Sequence, residues 1–419
     1  MTRVVVIGGG VVGLASAIAL LRDGHAVTIV EPGAPGGEQS ASYGNGTLLN
    51  PSSVVPMSSP GLWKKVPGYL MDPLGPLTIR WSYLPRLLPW LRRFIAAGAT
   101  AAKVEAIGRA LRPLLADAPA LHRALAEAAG AGDLIARQGV LFAFPSRAAF
   151  EAEALSWRVR RNNGTRWLEL DADELRQREP ALDRRYTFGI LVEENGQCRD
   201  PGAYVAALAR YAAELGGTIV QTGATGFRIE AARLRAVKTR DGDIACDKAV
   251  IAAGAWSKAL ARKAGDYVPL ETERGYHVVI ENPGIEPRYP VVPSDGKMAC
   301  VMTPAGLRLA GQVELAGLDA APNWQRAGVL LKFARKVFPG LPADTPLRAV
   351  KVWMGHRPST PDGLPCLGLA SGCADVVHAF GHGHVGLTAA VTTGTVVADL
   401  VAGRPAAFDL TPYAAARFR

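Results

Sequence analysis

Gly8-Gly9-Gly10-Val11-Val12-Gly13 stands between a short apolar run, residues 3–7, and an alanine- and leucine-rich stretch that reads as a helix to about residue 22. Residues 24–31 follow as a second strand that closes on Glu31. Glycines at G-x-G-x-x-G spacing between strand and helix, with an acid about 20 residues on, hold a dinucleotide. Gly8 permits the tight turn, Gly10 lets a pyrophosphate approach backbone, and Gly13 lets helix pack against strand. The phosphates belong at the helix start, Val11 and Val12, where free N–H groups and the macrodipole favour anions. Glu31 suits the two hydroxyls of a ribose and repels a 2′-phosphate, which disfavours NADP. These residues alone admit FAD or NAD.

The physics of that opening recurs near the other end. Residues 376–380 form a strand that runs into Gly381-His382-Gly383-His384-Val385-Gly386-Leu387-Thr388 and a helix to about residue 402. The turn carries glycines at 381, 383 and 386 and again presents a helix start, suited to negative charge at the N1/C2=O edge of a reduced flavin. A simple NAD dehydrogenase has no need of this second device. Between the two turns, a strand over 246–252 closes on Gly254 and returns the chain to the first domain. His378, His382 and His384 superficially suggest a metal site. Strand alternation followed by a tight turn works against their convergence, and no metal is expected.

Several elements must position these turns. Residues 33–60, rich in Gly, Ser, Asn and Pro, read as an irregular segment beside the cofactor, long enough to be functional. Its centre, Ser42-Tyr43-Gly44-Asn45-Gly46-Thr47, is small enough to let a planar ring lie against backbone. Residues 63–98 carry apolar positions at helical spacing with Arg86, Arg92 and Arg93 between them. They read as a helix packed on the protein's own sheet, with peripheral membrane contact as the other reading. Strands are expected over 139–144, 187–193, 273–280, 297–303 and 307–312, and helices over 103–131, 148–162 and 323–338. A helix over 200–215 has Asp200 as cap and Pro201 at its first position. The expected architecture is an α/β FAD-binding (Rossmann-like) domain, residues 1–82, 196–258 and 350–419. A second α+β substrate domain on a mixed or antiparallel sheet takes 83–195 and 259–349.

Composition sets the outer bounds. A chain of 419 residues has ample length for two domains. Its net charge of +10 comes from 36 Arg and 11 Lys against 37 acids, without long basic runs or a nucleic-acid motif. The charge reads as a surface bias that steers an anionic substrate inward, and no nucleic-acid partner is expected. The five cysteines are scattered and suggest neither a disulfide framework nor a zinc or iron–sulfur site. Residues 1–7 leave no room for a leader, and 385–401 reads as a buried helix. The expected location is cytoplasmic, with peripheral contact at the inner face of the cytoplasmic membrane as an option.

The opening fingerprint, Ser42-Tyr43-Gly44-Asn45, Arg357-Pro358-x-x-Pro361-Asp362-Gly363-x-Pro365 and Gly381-His382-Gly383-x-x-Gly386-x-Thr388 occur in that order. Together they resemble the D-amino-acid oxidase (DAO) superfamily of flavoproteins, and most closely its FAD-dependent D-amino acid dehydrogenases. Pro60-Gly61, Asp72-Pro73-x-x-Pro76-Leu77, Trp90-Leu91-x-x-Phe94 and Glu179-Pro180-Ala181-Leu182 look like that subgroup as well. The resemblance covers nearly the whole chain. It departs at one loop, where those dehydrogenases read roughly Asn-Ala-Gly-Gln and this chain has Asn45-Gly46-Thr47-Leu48, which puts acceptor choice or substrate preference in doubt.

What the resemblance implies is non-covalently bound FAD and oxidation of a C–N bond. Hydride passes from the α-carbon of a D-amino acid, or of a cyclic imino acid such as a D-proline derivative, to flavin N5. The resulting imine hydrolyses to a 2-oxo acid. Electrons then go to an acceptor other than oxygen, such as a quinone or an electron-transfer protein. The alternatives are an oxygen-using oxidase of glycine, sarcosine or D-amino acids, and a flavin subunit of a larger amine dehydrogenase complex. An oligomer is compatible with either. The residues expected at the cofactor are Gly8, Gly10, Val11, Val12, Gly13, Glu31, Ser42, Asn45, Gly46, Thr47, Gly254, Gly381, Gly383, Gly386, Leu387 and Thr388. Arg357 is the expected partner of the substrate carboxylate, since a bidentate guanidinium matches its geometry. Alternation puts Arg274 and Tyr276 on one face and His277 on the other. Tyr276 is the candidate to close over the carboxylate and Arg274 to add a second charge. Tyr43 is a candidate lid, and His384 a candidate acceptor of the ammonium proton.

Overall fold

Val4, Val5, Val6 and Ile7 are all buried, which only a strand covered on both faces achieves. Val4 and Val6 face one apolar core and Val5 and Ile7 another. The computed structural model describes residues 1–72, 75–343 and 345–419, and Pro73 of the middle motif lies outside them. The strand Arg3–Ile7 sits inside a six-stranded sheet. In order, that sheet runs Thr218–Val220, Ala26–Val30, Arg3–Ile7, Lys248–Ile251, Val376–Phe380 and Cys366–Leu369. All neighbours are parallel except the last pair. Strand order reverses on either side of Arg3–Ile7, the arrangement in which a crevice opens beyond the strand ends.

One face is covered by the opening helix, Val11–Arg22, and by Pro201–Glu214, whose Asp200 side chain caps it and whose Pro201 begins it, as expected. The closing helix, Gly386–Ala402, lies tightly against the opening helix. A Cβ placed on Gly394 would meet the Ala15 carbonyl oxygen at 2.6 Å. The other face carries a three-stranded meander, Ala224–Glu230, Arg233–Thr239 and Gly242–Ala245, which contributes Leu234 and Val237 to the second core.

The second sheet has nine strands of mixed direction. Its path runs from Lys351–Ser359 through Glu271–Ile280, Gly306–Leu315, Met298–Thr303, Val291–Pro293, Val140–Phe144 and Phe188–Val192 to Leu168–Leu170, with Leu77–Ile79 paired beside Gly306–Leu315. The helix Gln325–Val337 covers its rear, packing Leu330, Leu331 and Ala334 against Val278, Ile280, Leu307 and Leu309. An α/β nucleotide fold joined to a mixed-sheet α+β unit is the expected fold class.

Several stretches cross the expected division of the chain, among them Leu77–Ile79, grouped with 1–82, which pairs with Gly306–Leu315 of the mixed sheet. Lys351–Ser359, grouped with 350–419, is the edge strand of the mixed sheet. The helices Ala101–Leu115 and Ala118–Ala128, grouped with 83–195, bury Val104, Leu111, Leu114 and Leu125 in the same core as the opening and closing helices. Their apolar stripes are too hydrophobic to leave in water, and the closing helix is the surface available. Among the described residues no helix is long and apolar enough to cross a membrane.

Gly394→Val is expected to destabilise the chain by at least about 2 kcal/mol, because the added carbons meet backbone that cannot rotate away. Denaturant unfolding with an unchanged slope checks this; a loss below about 0.5 kcal/mol would show that the two helices separate freely.

Candidate functional site

The two sheets enclose a cavity of about 1450 Å³, lined by both glycine turns, by the segment following Ser40 and by one face of the mixed sheet. Pockets for drug-sized ligands span roughly 300–1,000 Å³, so this one has room for a dinucleotide and a small substrate together.

At the nucleotide end Gly8 has φ +115° and no room for a Cβ, which would lie 2.4 Å from the Ala252 carbonyl oxygen. Gly13 does not reach the cavity; a Cβ there would meet the Gly8 carbonyl oxygen at 1.9 Å, which is the helix–strand packing role expected of it. The Glu31 carboxylate accepts from Gly9 N at 2.6 Å and Gly33 N at 3.3 Å. It lines the cavity, and these two bonds leave acceptor positions free for a ribose. Val11 N donates to the Ser42 hydroxyl at 3.1 Å, tying the loop to the helix start.

That loop is gripped by three adjacent strands. Trp353 donates to the Glu38 carbonyl at 2.9 Å, and Arg308 to the carbonyls of Tyr43 at 3.4 Å and Asn45 at 3.1 Å. His277 Nδ1 meets the Gly44 carbonyl at 3.2 Å and must carry the proton there, since a carbonyl only accepts. Burial and the nearby Arg308 charge lower His277 to about 4, so it is neutral. Gly44 lies flat on Trp353, where a Cβ would fall 1.9 Å from the ring. Gly46 rests over Ala310 and Ala299, and the Asn45 side chain accepts from Thr47 N at 2.9 Å. Thr47 itself, at φ +66°, is fully buried and shapes the loop without lining the cavity.

The closing turn completes the enclosure. Gly381 and Gly383 have positive φ, and Gly383 N donates to the Pro358 carbonyl at 2.8 Å beside a bridge between Ser359 and His382. The Thr388 hydroxyl accepts from Asn50 N at 3.1 Å and donates to Leu48 O at 3.4 Å, fastening the loop to the closing helix. Gly254, at φ +54°, borders the same cavity, as do Gly386 and Leu387.

Arg357 faces the cavity from the edge strand. Its guanidinium lies over Gly275, where a Cβ would sit 2.3 Å from its Cζ. It donates to the carbonyls of Gln312 at 2.9 Å and Gly311 at 3.4 Å. Gln312, at φ +62°, stands where the pairing register shifts, and the resulting bulge turns its carbonyl toward Arg357. Burial lowers the Arg357 pKa while Glu273 opposes the shift. Of its five N–H donors, three remain for a ligand.

Four expected substrate residues make contacts other than the expected ones, although Tyr276 and His384 are among the residues that line the cavity. Arg274 and Tyr276 do share a face, but it is the rear of the sheet. Arg274 donates to the carbonyls of Gly317, Ala320 and Ala321 at 2.8, 2.6 and 3.2 Å and pairs with Glu314 at 3.5 Å. The Tyr276 hydroxyl donates to Glu314 and accepts from Asn323 N at 2.9 Å. Both are therefore committed to pinning residues 317–323. Tyr43 is directed away from the cavity and donates to Glu38 at 3.3 Å, so it is no lid. His384 does reach the cavity, with Nε2 3.3 Å from the Ser53 hydroxyl, but burial and then the Arg357 charge lower it to about 4. That makes it a weak base. His378 and His382 pair with Asp266 and Thr393, at 2.8 and 3.1 Å.

Glu273, Gly275, His277, Trp353, Arg308 and Gln312 were not singled out from sequence. The same alternation that groups Arg274 with Tyr276 groups Glu273 with Gly275 and His277, and it is the Glu273–Gly275 side that faces the cavity.

The family model described as "DAO: FAD dependent oxidoreductase" matches residues 3–400. The chain is 57% identical over 416 residues to a D-amino-acid oxidase of Bradyrhizobium diazoefficiens, covering 99% of each. It is 32% identical to a D-amino acid dehydrogenase of Paramagnetospirillum magneticum, again covering 99% of each. Among solved structures, glycine oxidase from Geobacillus kaustophilus shares the fold with a TM-score of 0.73 at 24% identity, covering 99% of this chain and 98% of that one. L-Proline dehydrogenase from P. horikoshii does so with a TM-score of 0.72 at 20% identity, covering 100% and 97%.

Trp353→Ala removes both the hydrogen bond to Glu38 and the surface under Gly44. It is expected to raise the FAD dissociation constant about tenfold or more, a loss of at least ~1.4 kcal/mol. Fluorescence titration of released flavin measures it; unchanged affinity would mean the loop keeps its shape without the sheet.

Proposed function

The chain belongs to the DAO family of FAD-dependent oxidoreductases, and we propose that it oxidatively deaminates D-amino acids whose carboxylate is held by Arg357. The observation that carries this reading is a guanidinium with free donors inside the same cavity as the two glycine turns. The D configuration is supported by the curated relatives, which bear the names D-amino-acid oxidase and D-amino acid dehydrogenase.

The cavity fits FAD at both ends. Gly8, Gly10, Val11, Val12, Glu31 and Ser42 would hold its nucleotide half. Asn45, Gly46, Gly254, Gly381, Gly383, Gly386, Leu387 and Thr388 would hold its ring half. The fit is physical: glycine at position 8 leaves no side chain in the turn, and Gly46, Ala299 and Ala310 leave a low, flat floor. When bound, FAD would supply two-electron oxidation at the substrate's α-carbon. Arg357 orients the carboxylate and so fixes which hydrogen is presented. Leu77, Ile79, Trp90, Leu91, Val313 and Leu315 wall the cavity with apolar surface, which keeps water from the α-carbon. The imine product then reacts with water to give the 2-oxo acid and ammonia.

The acceptor is a separate question. The 57% identical relative favours oxygen, whereas the dehydrogenases at 30–33% identity favour another acceptor. We take oxygen as the acceptor of this chain. Trp63, Met71, Trp81, Leu88 and Ile95 are exposed and interspersed with Arg86, Arg92 and Arg93, which supports a peripheral membrane contact.

A panel of D- and L-amino acids, D-proline and sarcosine, read by flavin bleaching without oxygen, tests the substrate class; bleaching by L-isomers alone would overturn it. Mixing the reduced enzyme with air-saturated buffer tests the acceptor, with reoxidation within seconds expected, and persistence of the reduced form over minutes would favour the dehydrogenase reading. Arg357→Met should keep its yellow colour and lose at least about 100-fold in kcat/KM, since a desolvated charge pair is worth several kcal/mol. Near-normal kcat/KM would remove Arg357 from the site.

A further inference from the structure

Glu273 stands directly opposite Arg357 in the antiparallel pairing of Glu271–Ile280 with Lys351–Ser359. Opposed residues share a face with Cβ atoms about 5 Å apart. Two residues further along the same face, Gly275 opposes Gly355, and two beyond that His277 stacks on Trp353 at 5.1 Å. Glu273 and Arg357 both line the cavity. Despite this adjacency Arg357 sends its hydrogen bonds across Gly275 to the carbonyls of Gln312 and Gly311, and no ion pair joins it to Glu273. A carboxylate and a guanidinium thus stand side by side on one wall. Glu273 is only 6% exposed, and its neighbours are Arg357, the Ser359 hydroxyl and Glu271, with His384 bordering the same recess. Glu271 already accepts from Tyr83 and from Thr272 N. Burial raises the Glu273 pKa, so the side chain is suited to taking up a proton. The Ser359 hydroxyl hydrogen-bonds to this carboxylate but brings no charge; a buried carboxylate with no cation in contact is costly, and a ligand that brought one would relieve that cost.

We propose that Glu273 is a catalytic residue that receives the substrate's ammonium group and accepts one of its protons, while Arg357 holds the carboxylate. The inference rests on the reading of Arg357 given above. An amino acid at neutral pH presents its two charges about one carbon apart, and the Glu273–Arg357 wall presents the complementary pair. Only the neutral amine has a lone pair with which to form C=N. In the first step an N–H bond breaks, its electron pair stays on nitrogen, and an O–H bond forms on Glu273. The α C–H bond then breaks with its electron pair leaving in the family's FAD-dependent oxidation, as the nitrogen lone pair closes the C=N bond. The substrate loses two electrons and two hydrogens, one as a proton to Glu273.

The test uses the yellow holoenzyme and two ligands that cannot undergo amine oxidation: 2-aminoisobutyrate, which has no α C–H, and isobutyrate, which has no amine. Binding is read from the flavin absorption spectrum. The unmutated enzyme is expected to bind 2-aminoisobutyrate at least about tenfold more tightly than isobutyrate; equal affinities would overturn the proposal without any variant. Glu273→Gln should abolish that preference and leave isobutyrate binding unchanged or tighter, and Glu273→Asp should restore part of it. An undiminished preference in Glu273→Gln would also overturn the proposal. Arg357→Met should lose both ligands; if it bound isobutyrate normally, the carboxylate reading itself would fail, whatever Glu273 did.

Discussion

The hydrogen bond from Gly383 N–H to the Pro358 carbonyl, 2.8 Å long and reinforced by the Ser359–His382 bridge, joins the two sheets at the wall of the cavity. It ties the edge strand of the mixed sheet to the turn that starts the closing helix. Arg357 lies one residue before this joint and the helix begins at Gly386, just after it. Arg357, the proposed substrate anchor, and the closing glycine turn are thereby fixed relative to each other by backbone rather than by flexible side chains. Proline suits the strand side, since it supplies the carbonyl and has no N–H to satisfy. The positive φ of Gly381 and Gly383 lets the turn approach that carbonyl closely.

The cavity side of the mixed sheet divides into bands, each with its own physical task. Glu273 and Arg357 form a charged band at the end nearest the joint. Gly275, Gly355, Ala299 and Ala310 follow as a low floor that leaves height for a planar group. His277, Trp353 and Arg308 form the far band and hold the loop that covers the floor. The neutrality of His277 matters here, because a protonated ring would set a second cation beside Arg308. The rear of the same strands carries the opposite logic. Arg274, Glu314 and Tyr276 form a closed polar network whose members satisfy one another and the carbonyls of 317–321. Removing Arg274 or Glu314 alone would leave a buried charge uncompensated, at a cost of roughly 3–5 kcal/mol.

The bulge at Gln312 links these two sides. Its register shift lies between the rear pair Arg274–Glu314 and the pairing of Tyr276 with Gly311. The same shift frees the Gln312 carbonyl to accept from Arg357. Rear-face ionic order and the cavity-face placement of Arg357 therefore share one backbone irregularity, and the glycine at position 275 makes the space through which the guanidinium reaches it.

The sequence by itself determined the nucleotide turn, the second glycine turn, the FAD assignment and the position of Arg357, because each depends on residue types at fixed short spacings that local backbone geometry enforces. Gly13 is required by its contact with the Gly8 carbonyl inside one contiguous strand–turn–helix unit, while Gly8 combines a locally set positive φ with a close approach to Ala252 of a distant strand. The alternation of residues 273–277 was equally legible, and Arg274 and Tyr276 do share a face. Which face meets the cofactor was decided only by tertiary structure, since period-two alternation has two equivalent phases and nothing local breaks the tie. The pairing of Glu273 with Arg357, the capture of the loop by Trp353, His277 and Arg308, and the burial of Thr47 likewise join residues far apart in sequence. They exist because two sheets meet, and no spacing along the chain encodes that meeting.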